Sequence, residues 1–130
     1  MYSLKETHMS KFMFIFRGGG IVVQPPPPPA EIGAHLAKWT AWVDGLAKAG
    51  HTEAHLPPLE NGGKTVRGSS KTVTDGPYAE AKDLVSGILV VSAASLDAAV
   101  ELARGCPIYE YDGSVEVRPL RGMPHPELAR

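Results

Sequence analysis

Unbroken apolarity opens the readable part of the chain. Phe12-Met13-Phe14-Ile15-Phe16 is bounded by Lys11 and Arg17. A run of that kind predicts a strand buried on both faces. Period-2 geometry puts Phe12, Phe14 and Phe16 on one face and Met13 and Ile15 on the other. Helices cover one face of such a strand, and a second subunit is the natural cover for the other. Gly18-Gly19-Gly20 ends the strand, and five prolines follow from Pro25 to Pro29. In polyproline II form they make a stiff spacer of about 15 Å. The run lacks the flanking basic residue that orients a proline-recognition ligand, so a rigid loop is the preferred reading. Ala30 to Ala49 then carries an apolar stripe at helical spacing: Ile32, Leu36, Trp39, Val43 and Leu46. His35, Trp39 and Trp42 lie along its edge, and Gly50 is a C-cap.

Beyond this helix the periods shorten. His51 to Leu56 is a weaker strand candidate, stopped by Pro57-Pro58. Lys64 to Arg67 and Lys71 to Thr74 flank Gly68-Ser69-Ser70 and predict a hairpin. Leu84 to Val91 predicts a buried strand. Ser95 caps a second helix with Leu96, Ala99, Val100 and Ala103 on its core stripe. Gly105 ends that helix, Pro107 prevents its resumption, and Ser114 to Arg118 alternates as a last strand. The order is βαββαβ with an inserted hairpin. It predicts an α+β, ferredoxin-like fold, with an antiparallel sheet carrying two helices on one face. The other face is left bare and apolar, which makes it a dimerisation surface.

Composition narrows the class. With 130 residues the chain makes one domain, taken as residues 10–122 between tails at 1–9 and 123–130. Thirteen Lys+Arg against fourteen Asp+Glu give a net charge of -1, which argues against a nucleic-acid binder. A single cysteine, Cys106, excludes an intramolecular disulfide and fits a reducing cytoplasm. No run is long enough to span a membrane as a helix, and the first eight residues lack the apolar core of a secretory signal.

Thr74-Asp75-Gly76-Pro77-Tyr78-Ala79-Glu80-Ala81-Lys82 resembles the Asp-Gly-Pro-Phe signature of the DGPF branch of YCII-related proteins. Phe12 to Gly19, the Trp39/Trp42 helix, Leu59-Glu60, Val66-Arg67 and Gly113 to Pro119 resemble that branch too, in the right order. The resemblance implies a dimeric α+β barrel, two ferredoxin-like units joined sheet to sheet. It also implies a pocket with a His–Asp pair suited to acid–base or elimination chemistry. His35-Leu36-Ala37 matches the context of the family's histidine. The family's aspartate precedes a proline after the second helix, and Cys106 before Pro107 stands there. Genes of the branch often adjoin alternative sigma factors, which implies an accessory role in transcription initiation as the other reading.

His35 is therefore the candidate acid/base, since imidazole titrates near neutrality. The alternative is a boundary histidine packed on tryptophan. Asp75 is the candidate that orients it, although Asp before Gly-Pro is commonly an Asx-turn. Trp39, Trp42, Tyr78 and Cys106 are the candidate pocket wall. Cys106 follows a helix C-terminus, which does not promote a thiolate, so it reads as a small buried hydrophobe. No metal is expected: His51 and His55 on one strand would stand about 13 Å apart, too far to share an ion. No cofactor is expected either. Two functions compete: an enzyme on a small organic molecule, and a non-catalytic dimer that binds a ligand or protein.

Overall fold

The structure, a computed structural model, describes residues 9–21, 25–52, 56–76 and 83–122. Its elements are β1 (Ser10–Arg17), α1 (Pro29–Lys48), β2 (Gly63–Arg67), β3 (Thr72–Gly76), β4 (Val85–Ala93), α2 (Leu96–Arg104), a 3₁₀ turn (Pro107–Tyr111) and β5 (Ser114–Pro119). β1 lies between β4 and β5, antiparallel to both, and β2 pairs with β3 in a separate two-stranded sheet. This is the α+β, ferredoxin-like arrangement the periodicity predicts.

Phe12, Phe14 and Phe16 are buried on the helix-facing side, with Leu89, Val91 and Ala93 of β4. Trp42 stacks on Phe14 at 6.1 Å between ring centroids, and Trp39 meets Phe16 edge-on at 5.2 Å. α2 adds Ala99 and Ala103, beneath an N-cap in which Ser95 Oγ accepts from the Ala98 N–H. Met13, Ile15, Ile88 and Val90 occupy the opposite face by the period of their strands, and Val90 is exposed.

The segment expected as a strand from His51 behaves as an edge segment. The His51 carbonyl accepts from Ser92 N–H, Thr52 Oγ1 donates to the Val90 carbonyl, and Leu59 N–H donates to the Ser86 carbonyl. These bonds run it antiparallel along the free edge of β4; residues 53–55 lie outside the described residues. The proline run feeds α1 directly. Pro28 has φ -58 and ψ 151, Pro29 is the first helical residue, and the Pro28 carbonyl accepts from Glu31 and Ile32. Proline suits that position because its missing N–H has no intrahelical partner there anyway.

The stripe of α1 is rotated from the expected one. Leu36 is 55% exposed, whereas His35 is 3% exposed. Trp39 and Trp42 pack into the phenylalanine layer, and this turns the helix so that His35 points inward. A histidine expected at the stripe's edge is thus a buried one.

The 3₁₀ turn was not legible as an element. It is held by a tight fit: a Cβ on Gly19 would come within 2.3 Å of the Ile108 side chain, and one on Gly113 within 2.5 Å. Gly19 also has φ +77, a conformation that favours glycine. Asp112, in the left-handed region at φ 58, ends the turn.

Phe14, fully buried, and Val66, 64% exposed on the β2–β3 hairpin, give a direct contrast. Phe14→Ala is expected to cost about 3–5 kcal/mol. Val66→Ala should stay within about 0.5 kcal/mol. Denaturant unfolding of the two variants checks both.

Candidate functional site

One face of α1 meets the 3₁₀ turn. Glu31, His35, Lys38 and Trp39 recur at helical spacing, so their side chains share that face. The turn brings Glu110 and Tyr111 against them. His35 Nδ1 lies 2.7 Å from Glu110 Oε1, and Lys38 Nζ lies 2.6 Å from Glu110 Oε2. Trp39 Nε1 donates to His35 Nε2 at 3.1 Å. Tyr111 meets the imidazole edge-on at 4.7 Å, and its hydroxyl donates to Glu31 Oε2 at 3.1 Å.

The indole N–H can only donate, so Nε2 carries the lone pair and Nδ1 carries the proton. Nδ1–H therefore donates to Glu110. Each nitrogen of a nearly sealed imidazole is satisfied, which its burial requires. Lys38 and, after it, His35 hold the Glu110 carboxyl below its ordinary value. The Tyr111 hydroxyl is shifted upward, first by desolvation and then by the Glu31 carboxylate.

His35 separates two cavities. One, of about 510 Å³, is lined by His35, Leu36, Trp39, Val43, Phe16 and Ile88 with the Gly18–Gly20 turn and the edge residues Leu56 and Pro58. Its walls are mostly apolar, and the volume suits a small organic molecule. The other, of about 300 Å³, is polar and lined by Glu31, Lys38, Glu110 and Tyr111 beside His35. The ring presents Nδ1 to the acid of the polar side and lies in the wall of the apolar one.

Of the expected site residues, the structure brings together His35 and Trp39. Asp75 is elsewhere: it sits on β3, its side chain 83% exposed, in an ion pair with Lys64 at 2.6 Å. The carboxylate on His35 is that of Glu110. Trp42 is drawn into the core instead of the cavity wall, stacked on Phe14 with its indole N–H donating to the Leu102 carbonyl at 3.2 Å. Cys106 is also a core residue, 3% exposed and lining neither cavity. Burial pushes its thiol up to about 12, which keeps it protonated. Tyr78 lies outside the described residues. His51, weighed as a metal ligand, donates Nδ1–H to the Ser92 carbonyl at 2.7 Å. Among the described residues no group of three His, Cys, Asp or Glu side chains gathers to hold a metal ion.

Sequence reasoning missed Glu110 and Lys38. An acid one turn beyond Cys106-Pro107, and a lysine three residues after His35, were the available signals.

The sequence model of the YCII-related domain matches residues 21–124. The chain belongs to the YCII-related family. No curated protein matches it closely enough to count as a relative. In this YCII-related protein the position expected to hold the pair's acid, Cys106, is filled by a core thiol. Glu110, four residues on, places a carboxylate on the histidine instead.

The lowered pKa of Glu110 sets a sign. A carboxylate whose folded pKa is depressed contributes stability above its ordinary value and loses it as pH falls through the folded one. Acidification below 4.5, the ordinary value, should therefore destabilise wild type more than Glu110→Gln. Thermal melts of both proteins from pH 6 downward check this.

Proposed function

We propose that this YCII-related protein, a member of the DGPF branch, is an acid–base enzyme acting on a small, largely apolar organic substrate. His35 is the catalytic base and Glu110 its positioning residue. The observation that carries this is the buried histidine whose Nδ1–H is fixed on a carboxylate, whose Nε2 lone pair accepts from the Trp39 indole, and which lines an apolar cavity together with Trp39. Nε2 accepts a proton from an acidified C–H or O–H of the substrate, and the imidazolium formed is stabilised by Glu110. In an elimination, the electron pair of the broken C–H bond forms the double bond. The leaving group departs with the proton that Nε2 returns. Lys38 keeps Glu110 ionised for this purpose.

The test is proton exchange. A panel of small carbonyl and aromatic hydroxy compounds is incubated with the protein in deuterated water, and label uptake or elimination is followed by mass spectrometry. His35→Gln should lower turnover about 10²- to 10⁴-fold. Undiminished turnover in His35→Gln would refute the assignment. Compounds that bind without any turnover would favour the non-catalytic, ligand-binding reading linked to transcription.

The working unit in this proposal is a homodimer through the sheet face. Met13, Ile15, Ile88 and Val90 form an apolar centre there, with Lys11, Arg17, Glu116 and Arg118 around it by register. Removing such a patch from water is the ordinary drive for association. Sedimentation should give twice the 13.8 kDa chain mass for wild type. Ile15→Asp should sediment as the single chain. A wild-type species of one chain mass would contradict the dimer.

A further inference from the structure

Both ring nitrogens of His35 are engaged, but not equally. The bond to Glu110 is short and assisted by charge, whereas that from Trp39 is longer and between neutral groups. The indole is therefore the partner that exchanges more readily. Other polar side chains on the apolar cavity are already bonded: Thr40 Oγ1 donates to the Leu36 carbonyl, and Ser86 Oγ lies 3.0 Å from the Gly18 carbonyl. His35 and Trp39 both line the cavity, so Nε2 and the indole N–H bonded to it are the acceptor and donor that its wall residues hold for exchange. No charged side chain lines it among the described residues apart from what His35 itself becomes on protonation. A charged ligand group would be buried there without an ion partner.

We propose that Trp39 is a positioning residue whose indole N–H occupies His35 Nε2 and yields it to the hydroxyl of an uncharged, largely apolar ligand. A hydroxyl satisfies both groups that it parts. Its O–H donates to Nε2, and its oxygen accepts the displaced indole N–H. A donor without an adjacent acceptor would leave that indole unpaired, and an acceptor alone could not meet Nε2. The inference rests on the apolar cavity being the substrate site. It names the ligand class as a phenol or an apolar alcohol.

The probes are phenol and anisole, which share a ring and an oxygen but differ in the O–H. The chain has two tryptophans, so ¹⁵N-labelled protein gives two indole signals, and Trp39→Phe identifies the one from Trp39. Trp42 serves as internal control because its indole is bonded in the core. Phenol should move the Trp39 indole signal, leave the Trp42 signal in place, and bind about 2- to 10-fold more tightly than anisole, as one hydrogen bond warrants. Equal affinities, or phenol binding with the Trp39 signal unmoved, would overturn the role of Trp39 while leaving the cavity as a ligand site. If neither probe moves the Leu36 or Leu89 methyl signals in the cavity wall, the cavity is not a ligand site, and both this inference and the enzymatic proposal fall.

Discussion

An imidazole that is 3% exposed must have both nitrogens bonded, and the architecture around α1 answers that constraint. Trp39 meets one nitrogen because it is four residues further along the same helix. Glu110 meets the other from outside the helix, so the segment after α2 must be brought back across α1 and held there. The polar cluster and the phenylalanine layer are joined at Trp39, which touches Phe16 on one side and His35 on the other. Packing and chemistry thus share one residue.

What holds the acid in place is packing on glycine. Ile108 sits against Gly19 and Gly113, neither of which leaves room for a Cβ. The same glycine turn that ends β1 borders the apolar cavity. The turn that shapes the cavity therefore also seats the element that bonds His35. Cys106 fits this picture as core filling: its thiol is buried and protonated, and the carboxylate that meets His35 is that of Glu110, which keeps one edge in solvent.

The fold was legible because its signals are strong and local. The Phe12–Phe16 run, the capping Ser95 and the alternation at Ser114 to Arg118 each correspond to an observed element within a few residues. His35 was legible as a candidate through its context, and Trp39 through its spacing. The other half of the site was not. Pro107 reads as a helix stop, yet it also begins a 3₁₀ turn, where a proline costs nothing at the first position. Whether Glu110 faces solvent or α1 depends on the Ile108–glycine fit, a contact between residues almost ninety positions apart. Asp75 looked suitable because Asp-Gly-Pro presents a carboxylate. The sequence has no local sign that the hairpin pairs it with Lys64 instead.

Glu110 and His35 form one unit, with the proton on Nδ1 and the lone pair on Nε2. Long-range ¹H–¹⁵N spectra of histidine-labelled protein distinguish the two nitrogens directly. At neutral pH the His35 ring should show a protonated Nδ1 and an unprotonated Nε2, and Glu110→Gln should shift the Nδ1 signal. A His35 ring with its proton on Nε2, or a Nδ1 signal indifferent to Glu110→Gln, would contradict the account.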